Sequence, residues 1–107
     1  KGKTMPTVND VKRKESSSTA GFFELVINSK NELALAEYQF INTSRGKVIE
    51  IPHTFVPVSE RGRGLAGIVT EAAFQWAKEN GWKVRPTCSY VSGRFLDKNP
   101  HWNDNCE

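Results

Sequence analysis

The sequence predicts a mixed α/β (α+β) domain built on a small, mostly antiparallel sheet, with one parallel strand added after a crossover helix. Three observations point there. Three stretches between residues 21 and 56 carry strand-like patterning, residues 64–80 carry an amphipathic helical stripe, and a further strand-like stretch follows that helix at once. At 107 residues the chain suits one compact domain and is too short for two independent cores. Apolar residues make up 37%, including three Trp and six Phe, which is enough to build that core once a polar tail is set aside.

Residues 1–20 read "KGKTMPTVNDVKRKESSSTA", with few bulky apolar side chains, a Lys-Arg-Lys cluster and a serine run. Such a composition does not offset the entropy of ordering, so residues 1–19 are expected to be a disordered basic tail ahead of a domain spanning 20–107. The aromatic and β-branched stretch Gly21 to Asn28 predicts the first strand, and "NSKNE" a hairpin turn. Leu33 to Ile41 alternates and predicts a second strand. Lys47 to Val56 predicts a third, with Ile49, Ile51, His53 and Phe55 on one face and Val48, Glu50, Thr54 and Val56 on the other. Pro52 lacks an N–H, so this strand is expected to be bulged or unpaired there.

From Gly64 to Asn80 the apolar positions Leu65, Ile68, Val69, Ala72, Trp76 and Ala77 mark one helix face, and Gly81 supplies a stop. Trp82 to Cys88 predicts a fourth strand, parallel to the third through a right-handed crossover. The remainder predicts a short helix or turn and an irregular end interrupted by Pro100.

Charge narrows the function classes. Residues 1–20 hold five Lys/Arg against Asp10 and Glu15, whereas residues 21–107 hold ten of each sign, so the net +3 resides in the tail. A basic face that tracks a nucleic-acid backbone is therefore not implied, and nucleic acid is not an expected partner. No apolar run has the length of a membrane span, and no signal-peptide pattern is present. A cytoplasmic protein is expected, with the nucleus as alternative, acting as a monomer or weak dimer. Cys88 and Cys106 form neither a disulfide framework nor a metal-ligand spacing.

The stretch with the most chemical content is "VSERGRGLAG", residues 58–67, at a strand-to-helix junction. The first N–H groups of a helix have no internal partner and favour an anion, and small residues let a phosphate approach them. Gly62, Gly64 and Ala66 meet that need, and Arg61 and Arg63 add charge. A mononucleotide P-loop would require Lys-Ser/Thr after the glycines, which is absent. Gly62, Gly64 and Gly67 match the letters of the dinucleotide fingerprint, but the parallel sheet that should precede it is missing.

Arg61-Gly62-Arg63-Gly64-Leu65-Ala66 matches R/Q-x-x-G-x-G/A, and the chain resembles the GNAT superfamily of N-acetyltransferases. With "HTFVP", "PTCSYV" and "NPHW" it is similar to the minimal single-domain GNAT-like proteins, from about Phe22 to Trp102. The resemblance implies an acetyl-CoA-dependent N-acetyltransferase, with coenzyme A thioester and an amine acceptor as partners. The diphosphate would rest on the backbone of Arg61, Gly62, Arg63, Gly64, Leu65 and Ala66, and the pantetheine arm along Phe55 and Val56 as an added strand. A non-catalytic coenzyme A-binding module that serves a partner protein is the rival reading.

Three residues are candidates for the chemistry under that resemblance. Cys88, at the end of the strand after the helix, is either a nucleophile or a small buried residue closing the sheet. His53, expected to point inward or into the gap, is either a base or a histidine bonded to backbone. Tyr90 is either a general acid towards the departing thiolate or a packing residue. Glu50, on the strand face opposite His53, is the conventional alternative base. The turn "NSKNE" leaves no room for the helical pair of full-length superfamily members. An open acceptor site is implied, either completed by a partner or suited to an accessible amine such as a protein side chain or a polyamine.

Overall fold

A computed structural model of the chain describes residues 5–107. Five strands, β1 (Lys12–Glu15), β2 (Ala20–Val26), β3 (Leu33–Thr43), β4 (Gly46–Phe55) and β5 (Lys83–Arg85), lie side by side in chain order. The first three pairings are antiparallel, and β5 joins β4 in parallel after the helix α1 (Leu65–Asn80). A π-helical turn (Val91–Phe95), the short helix α2 (Leu96–Lys98) and a 3-10 segment (Pro100–Asn105) complete the chain. The mixed sheet with one parallel pair is the architecture that the periodicities predict.

One face of the sheet is the core face. Phe23 and Leu25 on β2, Ala34 and Ala36 on β3, Ile49 and Ile51 on β4 and Val84 on β5 are buried with Val69, Ala73 and Phe74 of α1. Small alanines on β3 let the helix approach, and the large side chains of β2 and β4 fill the flanks. Phe95 stacks on Phe74 and Trp102 packs tilted against it, with ring centroids 5.3 and 5.4 Å away, which carries the C-terminal segment onto the same side as α1. Trp102 Nε1 also donates to Glu71 Oε1 at 2.8 Å.

The structure corrects the expected tail. Residues 1–4 lie outside the described residues, but from Met5 onward the chain is part of the domain, and no boundary falls at residue 20. After a 3-10 turn (Val8–Asp10), β1 pairs with β2 from Lys12↔Glu24 to Glu15↔Gly21. The reason is tertiary. Arg13 Nη1 donates to the buried Tyr38 hydroxyl at 2.7 Å, and its guanidinium lies 4.9 Å from the Trp76 ring centroid. Val8 and Val11 pack against the core beside it.

Two further features position the site. Glu37 pairs with His53 and Gln39 with Glu50, so two β4 residues, Ile51 and Pro52, oppose the single residue Tyr38. This β-bulge sits at the proline that cannot donate, as anticipated, and it resets the alternation. The face assignments made from strict alternation are therefore corrected. Beyond the bulge Val56 is buried and His53 and Phe55 are exposed, which places His53 on the same outer face as Glu50. The expected strand 82–88 is also shorter: β4 and β5 pair only from Val48↔Lys83 to Glu50↔Arg85, and Pro86 ends the run. Cys88 N still donates to Ile51 O at 3.0 Å, after which the two chains part.

Candidate active site

The turn after β4 is held by its own side chains. A 3-10 segment (Val58–Glu60) leads to Arg61, whose N–H bonds Val58 O at 3.3 Å and whose Nε donates to Val56 O at 2.9 Å. Glu60 accepts from Asn28 Nδ2 at 2.9 Å and forms an ion pair with Arg63, which ties the turn to the end of β2. Gly62 and Gly64 then take left-handed φ values of 87° and 76°, which glycine adopts without the cost a Cβ would incur. Gly64 is the N-cap of α1 and offers no side-chain cap. The first helical bond runs from Ile68 N to Gly64 O at 3.3 Å, so the N–H groups of Leu65, Ala66 and Gly67 face the open helix end. A Cβ at Gly62 or Gly64 would meet nothing within 4 Å, so both glycines border free space.

That space is a cleft of about 890 Å³. It runs from His53, Thr54, Phe55 and Val56 at the end of β4, past Arg61, Gly62 and Gly64 to Ala66 of α1, and on to Tyr90, Arg94 and Lys98. Most of the positions named for a ligand from the sequence therefore meet in one place. Arg63 does not join them. Its side chain lines a separate shallow depression with Met5, Asp10 and Val26. Arg94 and Lys98 were not singled out from the sequence. Their i, i+4 spacing on the helical stretch after Tyr90 is the signal that could have found them, because it sets both cations on one side of that stretch.

The candidate chemical groups are arranged unequally. Tyr90 lines the cleft, and a Cβ at Gly67 would stand 3.3 Å from its hydroxyl, so the phenol lies over the first turn of α1. Burial pushes the Tyr90 pKa up from its ordinary value, opposed by Arg94 and reinforced by Cys88, and the group remains a proton donor at neutral pH. His53 lines the cleft and is exposed on the outer sheet face. Cys88 is buried at 9% exposure within the core cluster, and its Sγ lies 3.7 Å from Thr54 Oγ1. Thr54 lines the cleft, so Cys88 stands one side chain behind the wall. The structure brings Cys88 to Thr54, and among the described residues no hydrogen bond joins it to His53. Glu50 Oε2 accepts from Thr87 Oγ1 at 2.7 Å at the β4–β5 seam.

A strand-helix-strand unit whose strands part beyond three paired positions, with a glycine-opened helix start facing the gap, defines the GNAT class of acyltransferase folds. Among the described residues no helix is long and apolar enough to cross a membrane.

Comparison of the sequence agrees with that geometry. The family described as GCN5-related N-acetyl-transferase matches residues 22–105, and the chain belongs to it. Protein NATD1 of Danio rerio is 30% identical over 79 residues, covering 74% of this chain and 68% of the relative. Protein NATD1 of Mus musculus is 28% identical over 78 residues, covering 73% and 67%. The Homo sapiens protein of that name is also 28% identical over 78 residues, covering 73% and 66%. At the level of the family, the domain is an acetyltransferase domain.

Proposed function

We propose that the protein is an acetyl-CoA-dependent N-acetyltransferase acting on an accessible amine. The observation that carries this reading is the start of α1, where Gly62 and Gly64 in left-handed conformation leave the first helical N–H groups open to the cleft. The residues present fit coenzyme A. The cleft measures about 890 Å³, the two glycines have no neighbour within 4 Å where Cβ atoms would stand, and Arg61, Arg94 and Lys98 line it with positive charge. The backbone from Arg61 to Ala66 would hold the diphosphate, and Phe55 and Val56 would hold the pantetheine arm where β4 and β5 part. Bound acetyl-CoA supplies the acetyl group as a reactive thioester.

The chain's own part is positioning and proton transfer. An imidazole nitrogen of His53 receives the proton that the acceptor amine loses, and Tyr90 Oη returns one to the departing sulfur. Direct transfer is favoured over an acetyl-cysteine intermediate because Cys88 is buried behind Thr54 and lies outside the cleft lining. Calorimetry with acetyl-CoA tests binding, and the absence of heat would sink the reading. Release of free coenzyme A with an amine acceptor tests transfer. Binding with no release across an acceptor screen would leave a coenzyme A-binding module, and an acetyl adduct on Cys88 would make that residue the nucleophile.

A further inference from the structure

The helices pack on one face of the sheet, Cys106 and Glu107 run along its β5 edge, and the opposite face carries an ordered pattern. Strand register lines up Lys12, Glu24, Leu35 and Phe55 in one cross-strand row and Lys14, Phe22, Glu37 and His53 in the next, with Val26 beside Leu33 in a third. Val26 is 55% exposed and Phe55 43%, two of the four exposed large apolar side chains among the described residues. His53 and Phe55 also line the cleft. The bulge at Ile51-Pro52 puts both at the junction, so the open face runs directly into the mouth of the cleft.

Charge on this face is sorted. Glu24 and Glu37 lie half-buried within these rows; Lys12 stands opposite Glu24, and among the described residues neither carboxylate forms a hydrogen bond or ion pair. A carboxylate with no ion-pair partner is open to an incoming cation, and Glu37 is the one that stands opposite His53. Glu50, next along, accepts from the Thr87 hydroxyl and stands opposite Arg85 across the β4–β5 pair. The positive groups on this side stand at the edges: Lys12 and Lys14 on β1, and on β5 Arg85, paired to Glu107, and Lys83, bonded to Asp104 O.

We infer that this open sheet face docks the acceptor, and that the acceptor is a polypeptide segment carrying basic and apolar side chains. The inference rests on the acetyltransferase reading and names its substrate class. Carboxylates beside His53 suit a lysine ammonium approaching the cleft, and Val26, Leu33, Leu35 and Phe55 suit apolar neighbours of that lysine. A small polyamine would satisfy the carboxylates and leave the apolar rows uncovered. Val26 to His53 spans three strands, about 10 Å across the sheet at the usual strand spacing, which is room for several residues of extended chain.

The probe is a short capped peptide of alternating lysine and leucine, compared with spermidine and with a glutamate-leucine peptide. Titrated into isotopically labelled protein, the lysine peptide should shift the amides of Val26, Leu35, Glu37 and His53, and the glutamate peptide should not. In the acetylation assay Glu37→Lys and Val26→Lys should each raise KM for the lysine peptide roughly tenfold with acetyl-CoA affinity unchanged, and Val26→Lys, remote from His53, should leave kcat unchanged. Glu37→Gln, the variant least able to disturb folding, should raise it severalfold. Peptide shifts confined to the α1 side, KM values unmoved by all three variants, or acetylation of spermidine in preference to the peptide would each overturn the inference. A missing acetyl-CoA interaction would instead overturn the reading beneath it, because the amide shifts are read without acetyl-CoA.

Discussion

Arg61 Nε donates to the carbonyl oxygen of Val56 at 2.9 Å, so the side chain that opens the glycine turn also closes it against the end of β4. The two stretches proposed for diphosphate and pantetheine are thereby held in one geometry. A hydrogen bond of this kind contributes about 1 kcal/mol. Arg61→Ala should weaken acetyl-CoA binding by at least roughly fivefold on that account. Calorimetry checks it, and an unchanged Kd would separate the turn from the ligand.

Gly64 and Gly81 make a matched pair at the two ends of α1, with φ values of 76° and 78° and no atom within 4 Å of a built Cβ. Alanine at either position incurs about 1 kcal/mol for a left-handed backbone. Gly64→Ala and Gly81→Ala should therefore lower Tm alike. Only Gly64→Ala should impair acetyl-CoA binding, because only its Cβ enters the path to the helix start.

Gly21 presents a different case. A Cβ there would stand 2.3 Å from Lys14 O and 2.6 Å from the Tyr38 hydroxyl, so backbone and a buried ring must both move. Gly21→Ala should lose roughly 2–3 kcal/mol. Faster hydrogen exchange at β1 should accompany the loss, and protection as in the wild type would show that the Arg13–Tyr38 contact is not what anchors this strand.

Tyr90→Phe removes the proton donor and keeps the ring. Transfer to an amine should slow by about 100-fold with acetyl-CoA affinity nearly unchanged. The pH dependence has a definite sign. Burial raises the tyrosine above its ordinary value of 10.0, so the phenol keeps its proton across the neutral range, and its contribution disappears only as pH rises above about 10. A stopped assay in that range checks it, and a Tyr90-dependent decline already complete by neutral pH would exclude the role.

Local pattern made much of this molecule readable. The apolar stripe of α1 and the helix-stop glycine at Gly81 are properties of short windows, and the observed helix is Leu65–Asn80. The turn was readable for the same reason, since Gly62, Gly64 and Ala66 report a local steric need. The edge strand was not. Lys12, Arg13 and Lys14 have the composition of a solvated tail, and only contact with Tyr38 and Trp76, distant in sequence, makes Arg13 an anchor.

By itself, the sequence determined the order of strand, helix and strand, the bulge-prone proline and the glycine-opened helix start, because steric and hydrogen-bonding limits act over a few residues. The tertiary structure decided which groups share the cleft. One extra residue at Ile51-Pro52 turns His53 outward and leaves Cys88 behind Thr54. The C-terminal segment packs on Phe74 and brings Tyr90, Arg94 and Lys98 to the start of α1. These placements depend on register and on packing between segments far apart in the chain, which no local window records.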